Sequence, residues 1–174
     1  MRADTKKLCT IPLMTAIIVV CSWITIPFAI PFTLQTLAIF LSLFLLGRSA
    51  LVSILLYIVL GAIGLPVFSS FGGGIGVLLG PTGGFIFGFL ATSLVYSVTV
   101  YLLRKRRFSG IIGCILGTAA LYVCGTLWYC FVYGGISSGS VLDVLKICVL
   151  PFILPDAVKL MLSAIIARRI LRIR

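Results

Sequence analysis

Two charged residues near the end of the chain, Asp156 and Lys159, stand three positions apart within an otherwise apolar segment. In a helix this spacing places both side chains on one face. A carboxylate accepts hydrogen bonds and an ammonium group donates them, so the pair complements a cyclic urea, which offers N–H groups beside a carbonyl. Other amide-like heterocycles fit the same pair. Charged groups at membrane depth are costly and tend to face a bundle interior or a water-filled cavity, so the pair is a candidate ligand site.

The local sequence offers a structural alternative for the same two residues. Pro155 directly precedes Asp156, and proline with an acidic residue is typical of the first turn of a helix. We therefore predict that the last helix begins at Asp156, with its carboxylate as the N-cap. In the alternative, Asp156 only caps the helix and Lys159 extends its charged end toward the membrane surface, with no ligand involved.

A second candidate is the glycine-rich segment at residues 64–84, which contains eight glycines and two prolines. Glycine lets the backbone approach a ligand closely and exposes N–H donors. Irregular backbone at membrane depth is tolerated only where protein covers it or where it lines a cavity. We therefore predict a re-entrant or capping loop over a site, and a simple turn between helices is the alternative.

Polar and aromatic side chains elsewhere add further candidates. Gln35 carries a neutral amide near one end of a predicted helix, where it can hydrogen-bond either a ligand or a neighbouring helix. Four aromatic residues can wall an apolar pocket, although Trp and Tyr are also ordinary residues of the membrane interface; they are Phe71, Trp128, Tyr129 and Tyr133.

The remaining reactive groups argue against catalysis and metal binding. The chain has no His and no Glu, and its acids are Asp4, Asp143 and Asp156. General acid–base chemistry usually needs such groups, so we do not expect an enzyme. The six cysteines form no C-x-x-C pair, and we expect neither a metal site nor a cofactor. No Gly-Lys-Ser/Thr motif is present, so an ATPase activity is not expected. The sequence does not exclude a proton-coupled transporter that uses Asp156, and this function is an alternative.

Composition identifies the setting of these residues. The chain is 61% hydrophobic and 10% charged, with a mean hydropathy of +1.31, whereas soluble domains carry about 25% charged residues. We predict an all-α integral membrane protein that forms a single domain over residues 1–174. The net charge of +11 does not indicate a nucleic-acid partner, because the basic clusters separate apolar runs; the lipid bilayer is the expected surrounding, and its anionic headgroups are an added option.

Apolar runs and their interruptions predict six transmembrane helices. They cover residues 8–26, 33–46, 50–63, 85–103, 111–133 and 156–170, with a flexible loop at 134–140 and a short amphipathic helix at 141–150. Basic residues lie before the first helix, at Arg48, at 104–107 and after the last helix, whereas the loops at 26–32, 64–84 and 134–140 contain no Lys or Arg. The positive-inside rule then places both termini in the cytoplasm and the glycine-rich loop outside.

Three stretches, in this order along the chain, carry a resemblance to a known family. They are residues 30–37 (IPFTLQTL), residues 61–85 (GAIGLPVFSSFGGGIGVLLGPTGGF) and residues 151–159, which include Asp156 and Lys159. With them the chain resembles the BioY family, the biotin-specific S components of energy-coupling-factor (ECF) transporters. The resemblance implies high-affinity capture of biotin from outside, in the inner or plasma membrane of a bacterial cell. It also implies two kinds of partner, a transmembrane coupling subunit and two cytoplasmic ATPase subunits. An S component for another vitamin is the alternative.

The resemblance also implies roles for individual residues. Asp156 and Lys159 would hold the ureido ring of biotin, which is a cyclic urea fused to a thioether ring with a valerate tail. Six further residues would close over the ligand from two loops: Gln35, Phe71, Gly73, Gly74, Thr82 and Gly83. The chain departs from the family pattern at Leu154-Pro155, where members often have Pro-Gly. It also departs at Val20, which follows Ala16 at the spacing where the docking helix tends to carry small residues.

Overall fold

Six helices of twelve or more residues dominate the part of the chain that the structure describes. The computed structural model describes residues 2–26, 32–104, 108–131 and 149–173, with the backbone alone for 2–6 and 173. The elements are α1 (Arg2–Trp23), β1 (Thr25–Ile26), β2 (Phe32–Thr33), α2 (Gln35–Leu46), α3 (Ala50–Ala62), the single-turn α4 (Ile75–Leu78), α5 (Gly83–Leu102), α6 (Ser109–Phe131) and α7 (Leu150–Ile173).

The predicted all-α class is confirmed, with one small addition. The ends of α2, α3, α5 and α6 lie within two residues of the predicted bounds. α1 is longer toward its start than predicted, because it begins at Arg2 rather than at residue 8 and continues through Pro12. The two-residue strands β1 and β2 pair antiparallel, with Thr25 opposite Thr33; the sequence pattern did not predict this pairing.

The last helix corrects a prediction about Asp156. α7 begins at Leu150, six positions before Asp156, and runs through Pro155. The prediction that Asp156 is the N-cap is therefore wrong. Pro151 lies in the first turn, where the missing N–H of a proline has no helical partner to lose, so the helix starts there instead. Asp156 and Lys159 consequently lie in the second and third turns of the helix.

Helices α2 and α3 form a hairpin within one long apolar stretch. Four described stretches are long and apolar enough to cross a membrane, with Lys7–Trp23 as a shorter apolar helix; the four are Gln35–Ala62, Gly83–Leu102, Ser109–Phe131 and Leu150–Arg172. The first contains both α2 and α3, but Gln35 hydrogen-bonds Tyr57, so the chain reverses at the 3-10 turn Gly47–Ser49. At 1.5 Å per residue each helix is about 18–20 Å long, short of the hydrocarbon core of about 30 Å. Six complete spans remain a prediction.

Glycines allow α5 and α6 to pack closely against each other. A Cβ on Gly84 would meet the Cβ of Trp128, and one on Gly117 would come within 2.8 Å of the Thr92 side chain. The Thr92 hydroxyl donates across this contact to the carbonyl oxygen of Gly117 at 3.0 Å. Small residues that bring helix backbones together are typical of packing inside a membrane, where lipid is as apolar as the side chains. The α5–α6 pair is therefore the most closely associated part of the bundle.

The glycine-rich segment joins α3 to α5 as mostly irregular chain, as predicted, with a 3-10 turn at Ser69–Phe71 and the short α4. It is tied to the bundle by hydrogen bonds at several points. The Ser22 hydroxyl donates to the Val67 carbonyl at 2.5 Å, and the Trp128 indole donates to the Gly80 carbonyl at 3.0 Å. These bonds hold the segment across one end of the bundle.

Several predicted features lie outside the described residues. They are the loop at 134–140, the amphipathic helix at 141–150 up to residue 148, the basic residues at 105–107 and the centre of the loop at 26–32.

Candidate ligand-binding site

Asp156 and Lys159 point into the bundle rather than toward its surface. Only 4% of Asp156 and 5% of Lys159 is exposed. The Lys159 ammonium lies 3.0 Å from Oδ1 of Asp156, one helical turn away. Two buried opposite charges in contact avoid the cost of an isolated charge in an apolar interior. Their positions on α7 make the pair the centre of an internal polar site.

Both carboxylate oxygens of Asp156 accept hydrogen bonds from other helices. The Thr36 hydroxyl of α2 donates to Oδ1 at 2.8 Å. The Tyr122 hydroxyl of α6 donates to Oδ2 at 2.8 Å. Bonds of this kind to a charged acceptor are stronger than neutral ones. The carboxylate is therefore fixed by three helices, its own and two neighbours.

The ammonium group of Lys159 is equally well satisfied. Besides Asp156, it donates to the carbonyl oxygen of Thr33 at 2.7 Å and to the Thr36 hydroxyl at 3.0 Å. Its nitrogen also lies 4.0 Å from the centre of the Phe32 ring, a cation–π contact that is stronger away from water. The segment around β2 thus forms the wall of the site on the lysine side.

Gln35 joins α2 to α3 beside this pair. Its side-chain amide nitrogen donates to the Tyr57 hydroxyl at 2.5 Å, and its amide oxygen accepts from the Thr33 hydroxyl at 2.9 Å. Of the two roles left open by the sequence, the structure therefore contains the bond to a neighbouring helix. The side chain also lines the cavity described next.

A small internal cavity brings these polar groups together with an apolar wall. Its volume is about 60 Å³, whereas ligand pockets usually enclose about 300–1,000 Å³. A bicyclic ligand therefore needs the lining to move outward. The polar lining is Thr33, Gln35, Thr36, Ser69, Thr82, Tyr122, Asp156 and Lys159; the apolar and aromatic lining is Tyr57, Phe68, Phe85, Ile86, Phe89, Leu121 and Phe152.

The predicted residues of the glycine-rich loop divide into two groups. Thr82 lines the cavity. Phe71 does not: it is 62% exposed and stacks on Trp23 at a ring-centre distance of 5.1 Å. The loop instead contributes Phe68, which is 1% exposed, and Ser69. The loop therefore covers the cavity with residues three and two positions before the predicted aromatic.

The predicted loop glycines shape the chain rather than line this cavity. Gly74 has a φ of +87°, and its N–H donates to the Gly61 carbonyl at 2.7 Å. A Cβ on Gly73 would meet the Leu65 carbonyl, and one on Gly83 would meet the Leu78 carbonyl. A side chain at any of the three positions would therefore disturb the loop.

The residues of the site that the sequence did not predict include Thr36, Tyr122 and Phe152. Thr36 and Tyr122 contact Asp156 from distant parts of the chain, and Phe152 stacks on Phe32 at 6.1 Å. Tyr122 carried a usable signal, because a phenol in the middle of an apolar span lies away from the interface where Tyr is ordinary and needs a partner. Of the predicted wall aromatics, Trp128 packs on Phe87 and is not among the lining residues, nor is Tyr129; Tyr133 lies outside the described residues.

The helical bundle, its apolar surface and its buried charges define an all-α integral membrane protein with a polar cavity between its helices. Comparison with known proteins then gives the family. The sequence model of the BioY family matches residues 1–174, and the chain belongs to this family.

Two curated relatives and one solved structure show how far the similarity extends. The chain is 35% identical to "Biotin transporter BioY" of Thermotoga maritima, over 95% of each chain. It is 37% identical to "Biotin transporter BioY2" of Lactococcus lactis, over 95% of this chain and 90% of the relative. A solved structure described as the S-component for biotin from an ECF-type ABC transporter superposes with a TM-score of 0.87 at 28% identity, covering 98% of this chain and 93% of the other.

Proposed function

We propose that the chain is the biotin-binding S component of an ECF-type uptake transporter and is not an enzyme. It captures biotin from outside with high affinity for import that a separate ATPase module energises. The observation that carries the proposal is the buried Asp156–Lys159 pair at a cavity between the helices. The family and the printed names of the relatives, which are biotin transporters and a biotin S component, support the choice of ligand.

The two charges complement the two edges of a ureido ring. In the proposed complex, a ureido N–H donates to the Asp156 carboxylate and the ureido oxygen accepts from the Lys159 ammonium. Both partners are already hydrogen-bonded within the protein, so a ligand must replace the bonds that it displaces. A group with a donor and an acceptor side by side can do so, and a purely apolar group cannot.

Biotin binding also needs the cavity to widen. Phe68, Ser69 and Thr82 belong to the connection between α3 and α5 and form one side of the cavity. Outward movement of this connection enlarges the cavity without separating the helices that hold Asp156. We propose that the glycine-rich loop closes over bound biotin, with Gln35 on the opposite side; Phe71, Gly73, Gly74 and Gly83 contribute through the path of the loop.

The proposed setting and partners follow from the same function. The chain is a multi-pass protein of the bacterial inner or plasma membrane, with six spans, one domain over residues 1–174 and both termini in the cytoplasm. Its import partners are a transmembrane coupling subunit and two cytoplasmic ATPase subunits. The basic residues at one end of the bundle support this orientation, because Lys and Arg collect on the cytoplasmic side.

Calorimetric titration of the purified full chain in detergent tests the proposal. We expect tight binding of biotin and a loss of at least about tenfold in both Asp156→Asn and Lys159→Met, because a hydrogen bond to a charged group contributes about 1.5–3 kcal/mol. Arg172→Met is the matched control, since Arg172 is an exposed cation on the same helix.

Three results would contradict the proposal in different ways. Unchanged affinity for biotin in both variants would show that Asp156 and Lys159 do not form the binding site. Tighter binding of another vitamin in a competition panel would change the ligand. Uptake that persists with ATP present but collapses when the proton gradient is dissipated would favour a proton-coupled transporter that uses Asp156.

A further inference from the structure

A second cavity lies at the other end of the bundle from the glycine-rich segment. It forms where the start of α1, the turn between α2 and α3, and the end of α5 meet, and its volume is about 620 Å³. Three cations from these three places line it: Lys7, Arg48 and Arg104. All three are exposed. The cavity shares no lining residue with the Asp156 site.

The charges in this cavity have no acidic counterpart among the side chains that the structure describes. Asp156 is the one described carboxylate, and it pairs with Lys159 inside the bundle. Like charges that face a common space repel each other. A negatively charged group between the three cations would remove that repulsion and form charge-assisted hydrogen bonds with them.

One of the two arginines that line the cavity contacts an aromatic ring. The Arg48 guanidinium carbon lies 5.2 Å from the centre of the Tyr101 ring, a cation–π contact. Stacking on a ring leaves the in-plane N–H groups of a guanidinium free, and their fork matches two oxygens of a phosphate. Arg48 therefore adds to the cavity lining a group whose shape and charge match an oxyanion.

The surroundings of the cavity are those of the membrane–water boundary. Tyr101 is 69% exposed and the neighbouring Leu102 is 70% exposed at the end of an apolar helix. Tyrosine is enriched at the headgroup level, and an exposed leucine beside it suits contact with an acyl chain. A phospholipid fits both features when its phosphate enters the basic cavity and its acyl chains stay in the bilayer beside Leu102.

We propose that the cavity lined by Lys7, Arg48 and Arg104 binds the phosphate headgroup of an anionic phospholipid. Each Lys or Arg close to an anionic headgroup contributes about fivefold in affinity, and here three such cations line one cavity. The proposal concerns a lipid site at the opposite end of the bundle from the biotin site and does not depend on which ligand that site takes.

Native mass spectrometry of the full chain in a neutral detergent tests the lipid site. Phosphatidylglycerol is titrated against phosphatidylcholine with the same acyl chains. We expect preferential binding of phosphatidylglycerol, and a loss of about 25-fold for Arg48→Gln combined with Arg104→Gln, at about fivefold for each charge. The matched control is Arg169→Gln combined with Arg172→Gln, which removes the same charge from the end of α7.

A charge-keeping variant separates the lipid site from a folding defect. Arg48→Lys with Arg104→Lys is expected to cause a smaller loss than the glutamine pair, because it retains both charges and loses only the forked geometry. Equal losses in the α7 control, or equal binding of the two lipids, would overturn the proposal. Displacement of phosphatidylglycerol by millimolar inorganic phosphate would also overturn it, since the cavity would then take a free anion.

Discussion

Thr36 links the two charges of the candidate site. Its hydroxyl donates to Asp156 and accepts from Lys159, at 2.8 and 3.0 Å. A buried ion pair is weak evidence for stability by itself, because removing two charges from water is costly. Here every charged atom has a hydrogen-bond partner, which offsets that cost. The site is thus held in one geometry before any ligand contributes, and a ligand binds by exchanging bonds.

Tyr122→Phe tests the hydrogen bond that Oδ2 of Asp156 accepts from α6. The change keeps the ring and removes the donor that lies 2.8 Å from Oδ2 of Asp156. We expect the free energy of unfolding to fall by about 1.5–3 kcal/mol, because a buried charged acceptor loses its partner. The measurement is an unfolding titration in detergent. Tyr101→Phe is the control, since that side chain is 69% exposed; equal effects of the two changes would contradict the prediction.

Contacts of this site between residues that are close along the chain can be predicted from the sequence, and contacts between distant helices cannot. The pairing of Asp156 with Lys159 was predicted because a spacing of three in a helix fixes their relative position. The bonds to Thr36 and Tyr122 were not predicted, because they depend on how α2 and α6 are rotated against α7. The prediction that the helix starts at Asp156 was wrong because two prolines can mark the start of this helix. The prediction used Pro155, whereas the helix begins beside Pro151.

At the level of elements, the α5–α6 pair sets the shape of the cavity. Phe85, Ile86 and Phe89 of α5 and Leu121 and Tyr122 of α6 line it. Their positions depend on glycines that let the two helices approach closely. Most of the helix bounds could be predicted from apolar runs, but the close approach of these two helices could not, because it depends on which glycines face each other.

Gly84→Ala tests the close approach of α5 and α6. A Cβ at this position would meet Trp128 and lie 2.9 Å from the Cys124 carbonyl oxygen. We expect the free energy of unfolding to fall by about 1–3 kcal/mol, as for other overpacked sites. Gly76→Ala is the matched control, because a Cβ there would meet nothing within 4 Å. A loss in the control as large as that in Gly84→Ala would show that the packing argument fails.

All the exposed cations that the structure describes lie at one end of the molecule, whereas Lys159, near the other end, is buried. Lys7, Arg48 and Arg104 share one cavity, and Arg168 lines a groove with Ile111, near the start of α6. The other end carries the glycine-rich segment, which contains no Lys or Arg. These four basic residues come from separate parts of the chain and lie on one side, so together they indicate the orientation more strongly than a single basic cluster would.

Labelling with a membrane-impermeant maleimide tests this orientation. Ser70→Cys adds an exposed thiol to the glycine-rich segment, and Arg172→Cys adds one at the basic end, since both residues are exposed. With the basic end in the cytoplasm, we expect Ser70→Cys to react in intact cells and Arg172→Cys to react only after permeabilisation, each measured above the parent chain. The reverse labelling pattern would show that the protein has the opposite orientation in the membrane. Reaction of both thiols in intact cells would require an even number of spans between residues 70 and 172, whereas the six-span arrangement has three there, and that arrangement would be wrong.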